Sequence, residues 1–596
     1  MPIILLLCVM SLTVGASTTA ELMTRVHELQ LDRSRYWHLL LHAPENESQV
    51  DDLGFFLASK GKYDPSAELE ATVQHLNEDE NRTNGSVYCR FPARRTWLEH
   101  ELNYSFTKGK CSDYDALVEK LDPRKVTLVF PSAHINSPAS MFGHTFLRID
   151  SSMNSTMTSY AVNYAAQTGD TNGVLFAYKG IFGGYPGYFS MLPYYEKLKE
   201  YRDSESRDLW EYDLNLTRDE VMAMVRHIWE MQNIYSDYYF FNENCSSNML
   251  WLAEIARPGV HLQEHFGYYV IPPETIRAFE EENMVDKRHF RPSKRTRLKA
   301  YERYMDAAEV QMALALSNGM EEEAAIEHFS LADQRYILEA AAELIEYDYI
   351  AGSVDKETYR KRYHALLSRR AGLGKGDAIE IPEKNNPDTA HYAGRFQVAK
   401  GWSDTRNPWI LGWRPAYHDL GEDDTGHLGG AQIEFLDAAI GIEHSTLSLE
   451  KLTLLSLASI TPISPFFQPF SWRMKAGWDR DYGHDASSFV MRVGAGASIG
   501  DEYRYAYVMA EPELRMGFEC DTGIGLSVGA VINGPGRIKS RFEYGAVAYA
   551  QGENRTHADL SLLWQQSRYG ALYVRYGNHC QNGCEDRVES GINLYF

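Results

Sequence analysis

The sequence predicts a multidomain α+β protein whose last two hundred residues form an antiparallel transmembrane β-barrel. Three observations lead there. At 596 residues the chain is too long for one hydrophobic core. Up to about residue 385, strand-like and helix-like apolar spacings follow one another in mixed order. From His391 onward the period becomes two, with charges kept to one parity of each strand.

The first residues, Pro2 to Leu12, are apolar over the length of a signal peptide, and small residues follow through Ala16-Ser17. Residues 1–18 therefore read as a leader, and Cys8 lies too early in the run for a lipoprotein acceptor. No later stretch holds some twenty apolar residues, so no transmembrane helix is expected. The balance of 59 basic against 82 acidic side chains, a formal charge of −23, argues against a nucleic-acid partner. The 38 tyrosines suit sugar, lipid-interface or barrel surfaces as well as ordinary cores.

Residues 19–118 form a helical module, with helices expected from Glu21 to Arg35 and from Ser66. Residues 119–285 change character. Lys125–Phe130, Met141–Asp150 and Ser159–Ala165 read as strands, the last two close enough in sequence to pair. Four glycines among aromatics between Lys179 and Phe189 suggest a loop able to lay rings such as Phe182 and Tyr185 over a groove. A tight turn with packed aromatics is the alternative. A capping-box pattern at Thr217–Glu220 opens a helix towards Met231. Residues 286–388 are charged and helical, with helices expected at Asp306–Leu316, Glu321–Phe329, Ala332–Tyr349 and Lys356–Leu373. The basic run Arg291–Arg297 reads as a solvated face, with anionic lipid headgroups as conceivable partners.

Residues 389–596 carry about twelve alternating segments. Glu513 and Arg515 alternate with Leu514 and Met516, and Arg473 and Lys475 with Trp472 and Met474. An even number of such strands fits an outer-membrane barrel with a lumen filled by Arg473, Lys475, Arg492 and Glu543. A soluble β-sandwich also alternates, but it does not account for the aromatic outer parity together with the closing Phe596. The expected location is the bacterial outer membrane, with the N-terminal domains in the periplasm.

Six cysteines remain after the leader. Cys89 with Cys111, and Cys580 with Cys584, are placed to pair in an oxidising compartment, which leaves Cys245 and Cys520. Without a Cys-x-x-Cys pair or clustered histidines, no metal and no cofactor are assigned. Cys245 stands where Asn242-Glu243-Asn244 turns into an apolar, helix-like run. A thiol at a helix start is favoured as thiolate, the nucleophilic form. His144 in Phe142–Asp150 is the candidate base, and Asn163 on the neighbouring strand the candidate orienter of its ring. A backbone N–H near Cys245, with Asn242 or Asn244, is the candidate oxyanion stabiliser.

Phe142–Arg148, Asn163–Ala165, the Gly180–Gly187 stretch and Phe241–Ser246 resemble, over roughly residues 120 to 280, the Lnb N-terminal periplasmic domain family. That family is named after a bacterial lipoprotein N-acyltransferase. The resemblance implies a permuted papain-like fold, histidine strand before cysteine helix, with Cys245 and His144 catalytic. Where that pattern often continues with an aromatic and a basic residue, this chain has Ser247-Asn248. The expectation is a thiol acyltransferase or acyl hydrolase acting on lipid or lipoprotein at the outer-membrane bilayer. The alternatives are a peptidase or amidase on wall peptides, or a non-catalytic barrel with a periplasmic binding domain.

Overall fold

The computed structural model describes residues 18–132, 143–153, 155–170, 173–319, 325–481, 486–517, 520–552, 554–581 and 583–596. Residues 1–17, where a leader is expected, Met141 and Phe142, residues 321–324, and Phe518 with Glu519 lie outside them. Contacts divide the chain into two compact units. The first is Met1–Thr127, Phe146–Tyr194 and Leu214–Tyr269, and the second Leu128–Thr145, Tyr195–Asp213 and Val270–Phe596.

Among the described residues seven strands precede the barrel: β1 (Pro123–Pro131), β2 (Phe146–Ser151), β3 (Tyr160–Ala166), β4 (Pro186–Pro193), β5 (Leu209–Leu214), β6 (Tyr235–Asp237) and β7 (Val285–Arg291). In the first unit β2, β3, β4 and β6 pair antiparallel in that order, Leu147 opposite Val162 and Asn163 opposite Ser190. The strand expected from Met141 thus begins only at Phe146 among the described residues, and His144 precedes it.

The helices of this unit surround a buried polar framework. Helix Pro65–Glu78 starts at an Asp64 cap and carries Glu68, fully buried against Arg94 at 2.6 Å. Glu68 also accepts the Leu57 and Ala58 N–H groups, so the buried carboxylate has both a counter-charge and donors. Helix Arg218–Glu230 opens with the Thr217/Glu220 capping box that its sequence announces. Its last residue, Glu230, accepts the first-turn N–H groups of Ala93 and Arg94 at 2.6 and 2.9 Å. A disulfide joins Cys89 to Cys111.

In the second unit, helices Lys294–Tyr301, Ala307–Ser317, Leu331–Ile350 and Lys356–Gly372 share a core that includes Leu298, Ile337, Leu344 and Leu366. No described helix is long and apolar enough to cross a membrane. The basic run is not simply a solvated face. Lys294 is buried on Glu346 at 2.7 Å, Arg297 meets Glu343 at 2.5 Å, and Arg291 pairs with Glu211. Helix Leu331–Ile350 offers carboxylates one turn apart, and the basic residues fold onto them.

The barrel follows: β8 (Arg395–Ser403), β9 (Trp409–Arg414), the short β10 (Ala416–His418), β11 (Ala431–Glu443), β12 (Thr446–Ser459), β13 (Ser471–Asp481), β14 (Ala486–Gly500), β15 (Arg504–Met516), β16 (Cys520–Gly534), β17 (Ile538–Tyr549), β18 (Asn554–Ser567), β19 (Gly570–Cys580) and β20 (Cys584–Tyr595). Neighbours pair antiparallel from β11 through β20. Then β20 pairs with β8, β8 with β9 and β9 with β11, which closes a ring of twelve strands. Closure leaves no edge strand unpaired.

Side-chain parity follows the pleat. Ile524, Leu526 and Val528 of β16 are exposed on the outside, while Tyr507, Glu511 and Glu513 of β15 are buried inside. Lumen charges are matched. Arg473 holds Glu511 at 2.5 Å and Glu543 at 2.6 Å, Arg492 holds Glu513 at 2.5 Å, and Lys475 holds Asp479 at 2.6 Å. A cavity of about 470 Å³ remains among these side chains. Asp419, Leu420 and Gly421 of the β9–β11 connection stand on its wall. There Glu422 meets Arg395 and Arg414 at 2.9 Å each, and Asp424 meets Lys539 at 2.7 Å. A disulfide joins Cys580 to Cys584, and Cys520 is free and exposed.

Candidate functional site

Cys245 is the first residue of helix Cys245–Ala256, all twelve residues of which are buried. Its apolar run from Met249 to Ala253 suits a core, and its polar residues Ser246, Ser247, Asn248 and Glu254 are buried with it. The helix packs on β2, β3 and helix Arg218–Glu230. Trp251 fixes its far side, stacking on His42 at 4.9 Å and donating to Gln49 Oε1 at 2.9 Å. The helix thus brings Cys245 and the strand of Asn163 into one layered unit.

Asn244 is the N-cap. Its Oδ1 accepts the N–H groups of Ser246 and Ser247 at 2.9 and 3.2 Å, and its Nδ2 donates to the Phe240 carbonyl. Its carboxamide therefore organises the helix start. The Cys245 N–H donates to the Tyr238 hydroxyl at 3.2 Å. The amide donors around the thiol accordingly have partners in this state. Asn242, the other expected oxyanion residue, is exposed.

The sequence does not single out Tyr238. It stacks on Tyr164, the neighbour of Asn163, at 5.8 Å, and its own N–H donates to the Tyr185 carbonyl. Burial first, then the adjacent Cys245, pushes its phenol well above the ordinary tyrosine range. The hydroxyl stays protonated and is available to donate as well as accept. The run of aromatic residues at 238–241, before Asn242, is its only sequence signal.

Glu243 is likewise not legible in the sequence as a titrating group. Burial, followed by Asp51, Asp237 and Glu47, raises its carboxyl to about 7, against the opposing Lys62. Asp51 itself pairs with Lys62 at 2.5 Å and accepts the Asp237 N–H. A carboxyl that titrates near neutrality thus stands two residues before the thiol.

The glycine-rich stretch is not a loop. Residues through Phe182 end helix Gly173–Phe182, Gly183 turns at φ +76°, and β4 begins at Pro186. A Cβ on Gly180 would meet the Phe240 ring at 2.2 Å, so glycine here serves close packing. Tyr185 is buried and donates to Asp170 at 2.7 Å. Phe182 is 65% exposed and lies against Tyr178.

Asn163 is buried in β3, and Ser190 donates to its carbonyl. His144 belongs to the second unit. It is buried, with its ring 5.8 Å from that of Tyr201. Gly143 before it has φ +95°, and a Cβ there would meet the Phe130 ring at 2.4 Å. Only glycine gives the backbone this entry to His144. Arg148 of the same motif pairs in the first unit with Asp150 at 2.8 Å and donates to Thr127, a buried tie within the sheet.

The fold defines the class. A closed twelve-stranded antiparallel ring, apolar outside and charged within, is an outer-membrane β-barrel, and the domain before it is periplasmic. Residues 113–282 match the family model of the Lnb N-terminal periplasmic domain. Three further matches cover residues 29–101, 288–382 and 384–595, each to a domain of unknown function (DUF7843, DUF7842 and DUF7840). No curated protein matches the chain.

Solved structures similar to it are porin-like. The KdgM porin in complex with disordered oligogalacturonate is 10% identical at a TM-score of 0.23, over 34% of this chain and 99% of that one. The NanC porin is 7% identical at 0.24, over 34% and 100%. The loop L8 deletion mutant of OmpT, an outer membrane protein of Vibrio cholerae, is 8% identical at 0.21, over 34% and 98%.

Proposed function

We propose that the chain is a thiol enzyme of the outer membrane, using Cys245 and His144 for acyl chemistry on lipid or lipoprotein substrates. The observation that carries this reading is the setting of Cys245. A buried thiol opens a buried helix, next to the Asn244 cap and the Tyr238 hydroxyl, within the stretch that matches the Lnb N-terminal periplasmic domain.

In this reading the Cys245 thiolate attacks an acyl carbonyl, and His144 accepts the thiol proton and returns it to the departing group. Asn163 orients the imidazole. The Tyr238 hydroxyl, in exchange for its bond to the Cys245 N–H, donates to the developing oxyanion, which also receives that freed N–H. Water or an amine then takes the acyl group and restores the thiol. The catalytic domain spans residues 119–285 between a helical module and a helical spacer, and the barrel (389–596) holds it at the membrane.

The test is mass spectrometry of the purified full-length protein after incubation with diacyl lipid, lipoprotein or wall peptide. An acyl-sized mass increase on the Cys245 peptide, absent from Cys245→Ser, supports the reading. No adduct with any donor, together with a Cys245→Ala strain indistinguishable from wild type, overturns it.

A further inference from the structure

His391, His418 and His427 meet at the end of the barrel where the chain enters, and the acyl chemistry above uses none of them. His391 precedes β8, His418 ends β10, and His427 lies in the connection to β11. One ring nitrogen from each lies within 4.8 Å of the others.

The hydrogen bonds on the far side of two of the rings fix where their protons are. His391 Nδ1 stands 2.7 Å from the Tyr392 carbonyl oxygen, which only accepts, so Nδ1 carries the hydrogen. The Nε2 of the neutral ring is then a lone pair. His418 Nε2 stands 3.2 Å from the Asp424 carboxylate, so it carries the hydrogen and Nδ1 is the lone pair. These two lone-pair nitrogens face each other at 3.0 Å. Two acceptors so close repel unless a cation lies between them.

His427 is the third imidazole of the group. Both of its ring nitrogens are buried and neither has a hydrogen-bond partner among the described residues. Leaving a buried polar atom unpaired is costly, so such atoms call for a ligand. The carbonyl and carboxylate behind His391 and His418 are the supports that orient metal-ligating imidazoles.

We propose that His391 Nε2, His418 Nδ1 and one ring nitrogen of His427 bind a divalent transition-metal ion of the zinc class. Three imidazoles are a borderline-soft donor set that suits zinc and its neighbours. The 3.0 Å between the facing nitrogens is already near the ~3.3 Å that separates two ligands of a tetrahedral zinc ion. The His427 ring lies stacked on His418, 4.1 Å away at 16°, so it turns about its side-chain torsions to present a nitrogen. Among the described residues no hydrogen bond resists that turn. Glu422 Oε2 stands 3.7 and 3.8 Å from the facing nitrogens but is already held by Arg395 and Arg414, so it balances charge and water completes the shell. The ion ties the β9–β11 connection, whose Asp419–Gly421 line the lumen cavity, to the segment that precedes β8. The sequence hid the site because 26 and 8 residues separate its ligands, a spacing that matches no motif.

The experiment uses the full-length protein, without a histidine tag, folded in detergent, stripped with chelator and then given Zn²⁺ or Co²⁺ alone. One Zn²⁺ per chain retained through desalting is expected, and Co²⁺ should give the visible bands of a tetrahedral, nitrogen-rich site. His427→Ala and His391→Ala should each lower the affinity by about tenfold or more, while heat-modifiable gel mobility reports that the barrel is folded. Retention of no metal by the wild-type chain overturns the proposal, and is the result expected if a proton alone bridges His391 and His418. Equal binding by wild type and both folded variants overturns it as well. The wild-type stoichiometry decides the question even if a variant does not fold.

Discussion

The backbone N–H of Cys245 donates to the hydroxyl of Tyr238 at 3.2 Å, and that phenol is stacked on Tyr164. The residue that starts the helix is thus fixed by a ring anchored on the sheet. Position is set by aromatic packing and confirmed by one hydrogen bond.

Tyr238→Phe keeps the ring and removes the hydroxyl. It leaves the Cys245 N–H buried without that acceptor, at a cost of about 1–3 kcal/mol. Urea unfolding followed by tryptophan fluorescence should show the loss. Acyl-adduct formation at Cys245 should slow as well. Unchanged stability together with unchanged adduct formation would remove Tyr238 from the site.

Asn244→Ala removes an acceptor of two first-turn N–H groups. The loss should be about 1 kcal/mol, and Asn244→Asp or Asn244→Ser should recover most of it, since either side chain can cap. If alanine and aspartate behave alike, the cap does not hold the helix start.

Glu230 gives a prediction in pH. Burial raises its carboxyl from 4.5 to about 7, outweighing Arg94 and the two N–H donors. Between those values the unfolded chain has lost this proton and the native chain keeps it. Its contribution to stability is therefore complete below about pH 4.5 and lost as pH rises through 7, up to about 3 kcal/mol in all. His227 beside it, lowered by burial to about 3, has the opposite sign: its contribution is present above 6.5 and lost as pH falls. The two offset each other between pH 4.5 and 6.5. Glu230→Gln should leave the His227 term exposed, so the variant should gain on wild type as pH rises from 4.5 to 7. Chemical unfolding at a series of pH values measures the difference, and parallel curves would contradict it.

The barrel predicts a contrast between its two faces. Arg473→Ala takes from buried Glu511 its guanidinium partner, while Glu543 keeps Arg541, and should cost about 3 kcal/mol. Leu526→Arg on the outside should cost about 2–4 kcal/mol in lipid, where an arginine must enter the hydrocarbon. Heat-modifiable mobility against urea in vesicles reads both. A Leu526→Arg barrel as stable as wild type would mean that this face meets water.

The sequence is most legible where one physical rule acts alone. Period-two alternation in β13, β15 and β17 marks inside and outside because the pleat sends side chains to opposite faces. Thr217 and Glu220 announce a helix start because the capping box is local. Legibility fails where distant residues decide. Lys294 looks solvated until Glu343 and Glu346 arrive from a helix about fifty residues on. The glycines at 180 and 183 look like a flexible loop, but the rings of Phe240 and Tyr239 occupy the space a side chain would need. Asn244 looks like an oxyanion donor, yet the helix it opens claims its carboxamide. Tyr238 carries no motif, only an address next to Cys245 that the fold supplies.

The pairing of β20 with β8, Tyr595 opposite Arg395, has a consequence for assembly. Every other neighbouring pair in the ring joins strands near in sequence, but this seam joins residues about two hundred apart and has the longest loop to close. Until it forms, the growing sheet presents two open edges, each able to recruit a strand from another chain. Loss of the final strand would therefore be felt as misassembly before it was felt as lost activity.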